Sequence, residues 1–379
     1  MNSIKYLSVF FVALFIFAGC SAKIEQKKEI SNAKIQQADW DELIGFETDD
    51  LQMALSVFKK DCKKSQKYDN LTAICEKTND VNATANAKEF FTSNFTPYKL
   101  VGEDKKQAGL ITGYYEPLLH GNIYKTKKYQ YPIYSVPTDL LTIDLTEAYP
   151  DLKDYVLRGK LVGNKVLPYK TRKELDAIDN RYDKYLKPIC YVDDKIDLFF
   201  LHIQGSGKVK LQNGKILNIA YGQQNGRQYY SIGRKLIELG AIEAKDVSLQ
   251  SIKKWLNENP ERIDEILNLN DSYVFFYKSS QAATGSLGTQ LTANRNLAVD
   301  KNYIPLGFPV FINTTNPVTN KPINQLMVAA DTGGAIKGQI RADYFFGNGK
   351  VAEELAGKMK QQGILYMLIP NTIKQKEEK

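Results

Sequence analysis

Histidine is nearly absent from this 379-residue chain: His120 and His202 are the only two. Its four cysteines, Cys20, Cys62, Cys75 and Cys190, form no Cys-x-x-Cys pair and no cluster with histidine. Zinc sites are assembled from such clusters, so neither a metal nor another cofactor is expected, and each histidine reads as a hydrogen-bonded structural residue. A basic tract is missing too. The formal charge of +8 is spread along the chain without a basic helix or stripe, which argues against a nucleic-acid partner. No segment repeats. What remains, 43% hydrophobic and 25% charged side chains, is an ordinary globular composition, long enough for two domains or one with a large insertion.

The N-terminus carries an apolar run from Tyr6 to Phe17, preceded by Lys5 and ended by Ala18-Gly19-Cys20. A dozen residues is short of the roughly twenty that a membrane-crossing helix needs and fits the core of a signal peptide. Small residues before a cysteine resemble the bacterial lipobox, although Phe17 stands where leucine is usual. Cleavage there makes residues 1–19 a lipoprotein signal peptide and Cys20 a lipid anchor; a plainly secreted protein is the alternative. Ser21 after the cysteine resembles the sorting pattern for the outer membrane, with the protein on the periplasmic side. The polar residues up to 38 read as a flexible tether. With Cys20 acylated, export to an oxidising compartment favours a Cys62–Cys75 disulfide across a short polar loop. Cys190, in Ile189-Cys190-Tyr191-Val192, reads as a buried small hydrophobe.

Apolar residues spaced mostly by three or four predict helix over Asp39–Lys60, with another helical piece over Ala85–Tyr98. From Gly109 the texture becomes β: short β-branched and aromatic runs at Leu110–Tyr115, Tyr131–Tyr134, Leu198–Ile203, Val209–Leu211 and Ile216–Tyr221, with Asn213-Gly214 as a hairpin signal. Helices are expected at Ser231–Leu239, at Leu249–Asn257 after the N-cap Ser248, and at Glu261–Leu267. Strands return at Tyr273–Tyr277, Leu297–Asp300, Val310–Ile312, Leu326–Ala330 and Ile364–Ile369, before a disordered tail at 374–379.

The chemistry concentrates near the C-terminus. An apolar strand delivers Asp331 to its end, and Gly333-Gly334 turns the chain with nothing bulky beside the carboxylate. Asp343 follows among aromatics, and Asp300 closes another strand. Asp-Thr-Gly is also the signature of aspartic proteases, but a single copy in so long a chain lacks the second aspartate that those enzymes need. Turn capping accounts for any one of the three aspartates taken singly. Three at strand ends among glycine-rich turns point to a site.

These residues carry a resemblance. Ala298-Val-Asp300, Ile304-Pro-Leu-Gly307, Ala330-Asp331-Thr-Gly333 and Ile336-Lys-Gly338 with Asp343 resemble the three-aspartate domain. Thr112-Gly-Tyr-Tyr-Glu-Pro117, Leu201-His-Ile-Gln-Gly-Ser-Gly207, Tyr221-Gly-Gln-Gln-Asn-Gly226, Tyr230-Ser-Ile-Gly-Arg234 and Tyr273-Val-Phe-Phe276 are similar to the membrane-bound lytic murein transglycosylase A family. The matches run in order over about residues 109 to 370. Gly285–Thr292 departs in detail, and the first hundred residues match weakly.

The resemblance implies a mainly β fold with peripheral helices. A double-psi β-barrel formed by residues 39–115 and 261–373 is interrupted by a small inserted β-barrel at 116–260, with a glycan groove between them. It also implies one acid–base aspartate, Asp331, acting on peptidoglycan strands by a monomer. Peptidoglycan carries lactyl and peptide carboxylates, which suits the mild basic excess.

An ordinary aspartate, with a pKa near 3.9, is protonated about one part in a thousand at neutral pH. A general acid here needs a shift of about two to three units, from burial or from a neighbouring carboxylate such as Asp343. Asp331 would protonate the glycosidic oxygen and then take the proton of the muramic C6 hydroxyl, closing an anhydro ring. Gln204, Ser206, Gln223 and Asn225 suit sugar hydroxyls and acetamido groups, or are ordinary turn residues. Tyr114 and Tyr115 suit stacking on sugar faces, or packing. Lys337 suits a substrate carboxylate, or is a solvated loop charge, and Glu116 is a candidate second carboxylate whose Glu-Pro turn context favours a structural role. Two other functions are carried forward: a hydrolytic glycosidase using Asp331 and Asp343, and a non-catalytic peptidoglycan-binding lipoprotein.

Overall fold

The computed structural model describes residues 33–62, 64–65, 69–80, 85–102, 104–179 and 183–371. The expected signal peptide, Cys20, most of the expected tether and residues 374–379 lie outside the described residues. No described helix is long and apolar enough to cross a membrane.

Eight strands form the first sheet: β1 (Ile35–Gln37), β2 (Phe95–Leu100), β3 (Gly109–Glu116), β13 (Asn296–Val299), β14 (Pro309–Thr315), β15 (Pro322–Asp331), β16 (Ala342–Asn348) and β17 (Lys360–Pro370). Their order is β1-β2-β17-β14-β15-β13-β16-β3, and β3 pairs back onto β17. Six strands thus close a ring, which leaves them without a free edge. The ring is mixed, with β13–β15 and β16–β3 parallel. Leu297, Val299, Val310, Ile312, Met327, Ala329, Leu365 and Met367 are fully or almost fully buried in its wall. Part of that wall is covered by α1 (Leu51–Cys62), which packs on β15, and by α3 (Ala87–Asn94) with its cluster of Phe58, Phe90, Phe91 and Phe95. Burial on both faces is why β14 and β15 read as continuous apolar runs. A Cys62–Cys75 disulfide ties α1 to α2 (Asp69–Lys77), and Cys190 is free and buried.

Between β3 and β13 the chain builds a second sheet from β4 (Leu118–Asn122), β5 (Tyr131–Tyr134), β9 (Pro188–Val192), β10 (Gly207–Leu211), β11 (Ile216–Gln224) and β12 (Val274–Ser279), in the order β12-β11-β10-β4-β9-β5. A small third sheet holds β6 (Leu141–Thr142), β7 (Arg158–Val162) and β8 (Lys165–Pro168). The β10–β11 hairpin turns at Asn213-Gly214, where Gly214 has φ +83°. The remaining helices are α4 (Arg172–Asp176), α5 (Lys195–Gln204), α6 (Ile232–Glu238), α7 (Leu249–Glu258), α8 (Ile263–Leu267) and, back against the first sheet, α9 (Lys350–Lys358).

Five expectations change. Leu198–Ile203 is not a strand but the body of α5, capped by Asp194, whose side chain accepts from Ile196 and Asp197 N–H, and ended by left-handed Gly205. The helix is apolar around most of its girth because it lies between two cores. Leu198 and Leu201 face the second sheet, while Phe199 and Phe200 face α6, α7 and α8. Asp39–Lys60 starts as two single 3-10 turns, separated at Gly45 (φ +88°), before α1 begins at Leu51. Ala85–Tyr98 is helical only as far as Asn94; Phe95 and Pro97 already belong to β2, where proline's missing N–H costs less than inside a helix. Finally, β12 pairs with β11 and Phe275 packs with Tyr134 and Tyr169, so residues 274–279, past the expected end of the insertion at 260, lie in the second sheet. Near the N-terminus, residues 35–37, expected as part of the tether, form β1 and join the sheet.

Candidate active site

β13 sets the level of the site. Ala298 pairs with Asp343 of β16 on one side and with Asp331 of β15 on the other. The two aspartates therefore flank one residue, about two strand spacings or 9–10 Å apart at the backbone. On β3, Thr112 is the register partner of Asp343, and two residues on Tyr114 pairs with Phe345. Alternation along the strand puts Thr112 and Tyr114 on the same face.

Asp331 is half-buried, and its carboxylate is held at both oxygens. Oδ1 accepts from Ser286 N–H at 2.9 Å, Ser286 Oγ at 2.9 Å and Thr332 N–H at 2.8 Å, while Oδ2 accepts from Tyr114 Oη at 3.2 Å. Burial raises its pKa above the ordinary value against the pull of these four bonds. Asp343 accepts from Thr112 Oγ1 at 2.6 Å, and Arg341 Nη2 donates to the same Thr112 oxygen at 2.8 Å. Burial first, with repulsion from Asp331 as a smaller contribution, pushes Asp343 up to about 6 against the opposing pull of Thr112 and Arg341. The dryness expected of the Val328-Ala-Ala strand thus outweighs the repulsion expected between carboxylates. Tyr114 is buried, and its hydroxyl is held far above the usual range by burial and by both aspartates. Oδ1 is thus taken by three donors, and Oδ2 by the single bond from Tyr114.

The other residues expected at the site divide. Asp300 is buried and accepts from Asn302 and Gly338 N–H, so it fixes the loop after Asp331 rather than facing the pair. Tyr114 reaches Asp331, but Tyr115 points to the opposite side of β3, as the next residue of a strand must. Burial and the neighbouring Glu353 and Asp197 raise the pKa of Tyr115, and it is no sugar platform. Gln204 spends its carbonyl on the Tyr115 N–H at 3.1 Å, pinning the end of α5 to β3. Gln223 accepts two bonds from Arg158, at 3.2 and 2.8 Å. Asn225 is a buried strut: its amide donates to Lys170 and Asp271 carbonyls, and its oxygen accepts from Arg227 and Tyr273 N–H. Ser206 is partly exposed beside Gly207, and Lys337 is exposed on the loop. Glu116 is buried, bonded to Ala283 N–H and paired with Lys208 at 3.0 Å. His202 is buried against Arg172.

Comparison with known proteins now bears on the chain. The family model described as the MltA specific insert domain matches residues 110–277, and the 3D domain model matches 295–369. Over 293 residues the chain is 30% identical to the membrane-bound lytic murein transglycosylase A of Escherichia coli K12, covering 75% of this chain and 71% of that protein. This chain belongs to the membrane-bound lytic murein transglycosylase A family. Its relative from Vibrio cholerae is likewise 30% identical, over 71% of this chain and 68% of that one. Among solved structures, MltA from Neisseria gonorrhoeae superposes with a TM-score of 0.79 at 34% identity, covering 91% of this chain and 94% of that one.

In this family member, the residue that sequence reasoning overlooked is Ser286. It sits in the segment Gly285–Thr292, which departs from the family pattern. The segment folds back over the end of β15: Leu287 N–H donates to Ala330 O, and a Cβ on Gly285 would lie 2.4 Å from that same oxygen. Only glycine admits the approach, and Ser286 then meets Asp331. From below, Lys60 Nζ of α1 bonds Gln290 O and Thr292 Oγ1, the latter at 2.7 Å. The Gly-Ser pair three residues before another glycine was a turn signal, but nothing local says what the turn covers.

Proposed function

We propose that this enzyme cleaves the β-1,4 bond between N-acetylmuramic acid and N-acetylglucosamine in peptidoglycan, leaving a 1,6-anhydromuramic end, with Asp331 as the only acid and base. The observation that carries the reading is the environment of the Asp331 carboxylate: raised in pKa by burial, fixed through Oδ1, and engaged at Oδ2 by a single long bond from Tyr114. The Oδ2 proton goes to the glycosidic oxygen as the C1–O4 bond breaks. The carboxylate then takes the C6 hydroxyl proton while O6 bonds C1, so no water is consumed. An intramolecular hydroxyl has high effective molarity, and a second base is unnecessary. The names of the relatives support this substrate. The six-strand closure with its two parallel pairs supports a double-psi form for the barrel, and Ala18-Gly19-Cys20 supports a lipid anchor, in the outer membrane by Ser21.

Asp331→Asn keeps the shape and the Ser286 contacts but neither gives nor retakes a proton. Turnover of purified sacculi should vanish while glycan affinity persists; retention of more than about a tenth of activity, a loss below about 1.4 kcal/mol, would sink the assignment. A hydrolytic second reading has one observation in its favour, the ionisable Asp343 about two strands from Asp331. Mass spectrometry of the released fragments separates the two, since hydrolysis adds a water that the anhydro product lacks.

A further inference from the structure

A cavity of about 210 Å³ opens in the inserted region between β5, α4 and α5, and none of the residues bonded to Asp331 lines it. Two of its lining side chains, Arg172 and His202, are more than nine-tenths buried. Arg172 Nε donates to Asn270 O at 3.0 Å, Nη2 to Ser272 O at 2.6 Å, and Nη1 meets His202 Nδ1 at 2.9 Å. A guanidinium only donates. Nδ1 of His202 is therefore the acceptor, and the ring proton sits on Nε2. That Nε2 is buried and has no partner among the described residues. The ring is stacked on Phe276 and packed on Tyr273, so it is held in place with its donor unspent.

The charge is as unusual as the donor. Among the described residues Arg172 forms no ion pair, although Asp176 and Asp271 lie close enough to favour its charge; it lies between the faces of Phe199 and Tyr273, 4.6 and 5.1 Å from their centroids. Only three of its five N–H directions are spoken for. A buried cation without a carboxylate is costly, and so is an orphaned N–H. Nearby Lys195 is paired with Asp176 at 3.2 Å and with Asp264 at 2.6 Å, so both of these carboxylates bond the lysine and neither bonds Arg172. We infer that this cavity is a binding site for a small monocarboxylate, its oxygens on Arg172 and the His202 Nε2–H and its short apolar body against Tyr131. The free carboxyl end of a short peptide belongs to this class. Nothing in the Asp331 chemistry requires the site.

With only two histidines in the chain, the test is direct. The full chain labelled with 15N-histidine is titrated with N-acetyl-D-alanine, with N-acetyl-D-alaninamide as the uncharged control, and the ring nitrogens are followed by NMR. Exposed His120 serves as the internal reference. A saturable shift of the His202 signals with the acid, at least about tenfold weaker with the amide, is the expected result. His202→Phe, which keeps the stacking on Phe276, should weaken binding by about tenfold in calorimetry. Absence of a saturable His202 shift up to about 50 mM acid, or equal shifts with acid and amide, overturns the proposal whether or not the variant folds.

Discussion

Ser286→Ala isolates one of the bonds that tune Asp331. Alanine keeps the backbone N–H donor at 2.9 Å and deletes only the hydroxyl, also at 2.9 Å from Oδ1. A hydrogen bond to a charged acceptor contributes about 1.5–3 kcal/mol. Ser286 is exposed, and solvent screening brings this to about 1–1.5 kcal/mol. At 1.36 kcal/mol per pKa unit, that is about one unit. The lost bond favoured the carboxylate, so its removal favours the acid and moves the Asp331 pKa further up. In a pH profile of kcat/KM for solubilisation of purified sacculi, from about pH 4 to 9, the limb on which activity falls as the general acid ionises should move about one unit to higher pH. The position of the limb is the readout, so a general loss of rate does not confuse it. An unmoved limb, or one moved to lower pH, refutes the role given to Ser286 and weakens the case for Asp331 as the acid.

Asp343→Asn should raise stability at pH 8 by about 1–2 kcal/mol after allowance for partial exposure. The folded pKa of about 6 lies above the ordinary 3.8, so the native state holds a proton that the unfolded chain has lost; that contribution is complete below 3.8 and disappears as pH rises through 6. Thermal unfolding at pH 4 and 8 checks it: the gain should vanish at pH 4, and a variant less stable than wild type at pH 8 contradicts it. Asn225→Ala leaves four backbone groups without their partner and should cost about 3–4 kcal/mol in urea unfolding, with less than about 1 kcal/mol counting against the strut. Cys62→Ser with Cys75→Ser opens a loop of sequence separation 13 and should cost about 2–4 kcal/mol, measured the same way under non-reducing conditions.

Much of the fold was legible because local chemistry and global fold agree. Asn213-Gly214 supplies the turn that its strands need, Ser248 caps α7 by accepting from Ser251 N–H, and β15 ends where Gly333-Gly334 begins. Leu198–Ile203 was misread because a short, fully apolar run carries no period; only the Asp194 cap and Gly205, outside the run, mark the helix. At the site, a strand end with glycines announces Asp331 from its own neighbourhood. Ser286 does not announce itself, because its relation to Asp331 spans 45 positions and depends on Gly285 clearing Ala330 O. Tyr114 and Tyr115 were indistinguishable in sequence for a different reason. Two adjacent strand residues must face opposite ways, and which one meets the aspartates depends on a register with β16 that no short motif encodes.

Closure of the ring by β17 has a kinetic side. The residues joined at the site come from far apart, Thr112 and Asp343 being separated by 231 positions, whereas β10 and β11 pair across a short turn at 212–214. Contacts that close large loops form late, so the inserted sheet has every opportunity to assemble first. β17 is the last of the described strands and pairs with β2, β3 and β14. Until it arrives, β3 and β14 present open edges on which a second chain can pair. A chain stopped short of Lys360 is therefore both inert and prone to aggregate, and the aspartate pair comes into register only once nearly the whole polypeptide is available to fold.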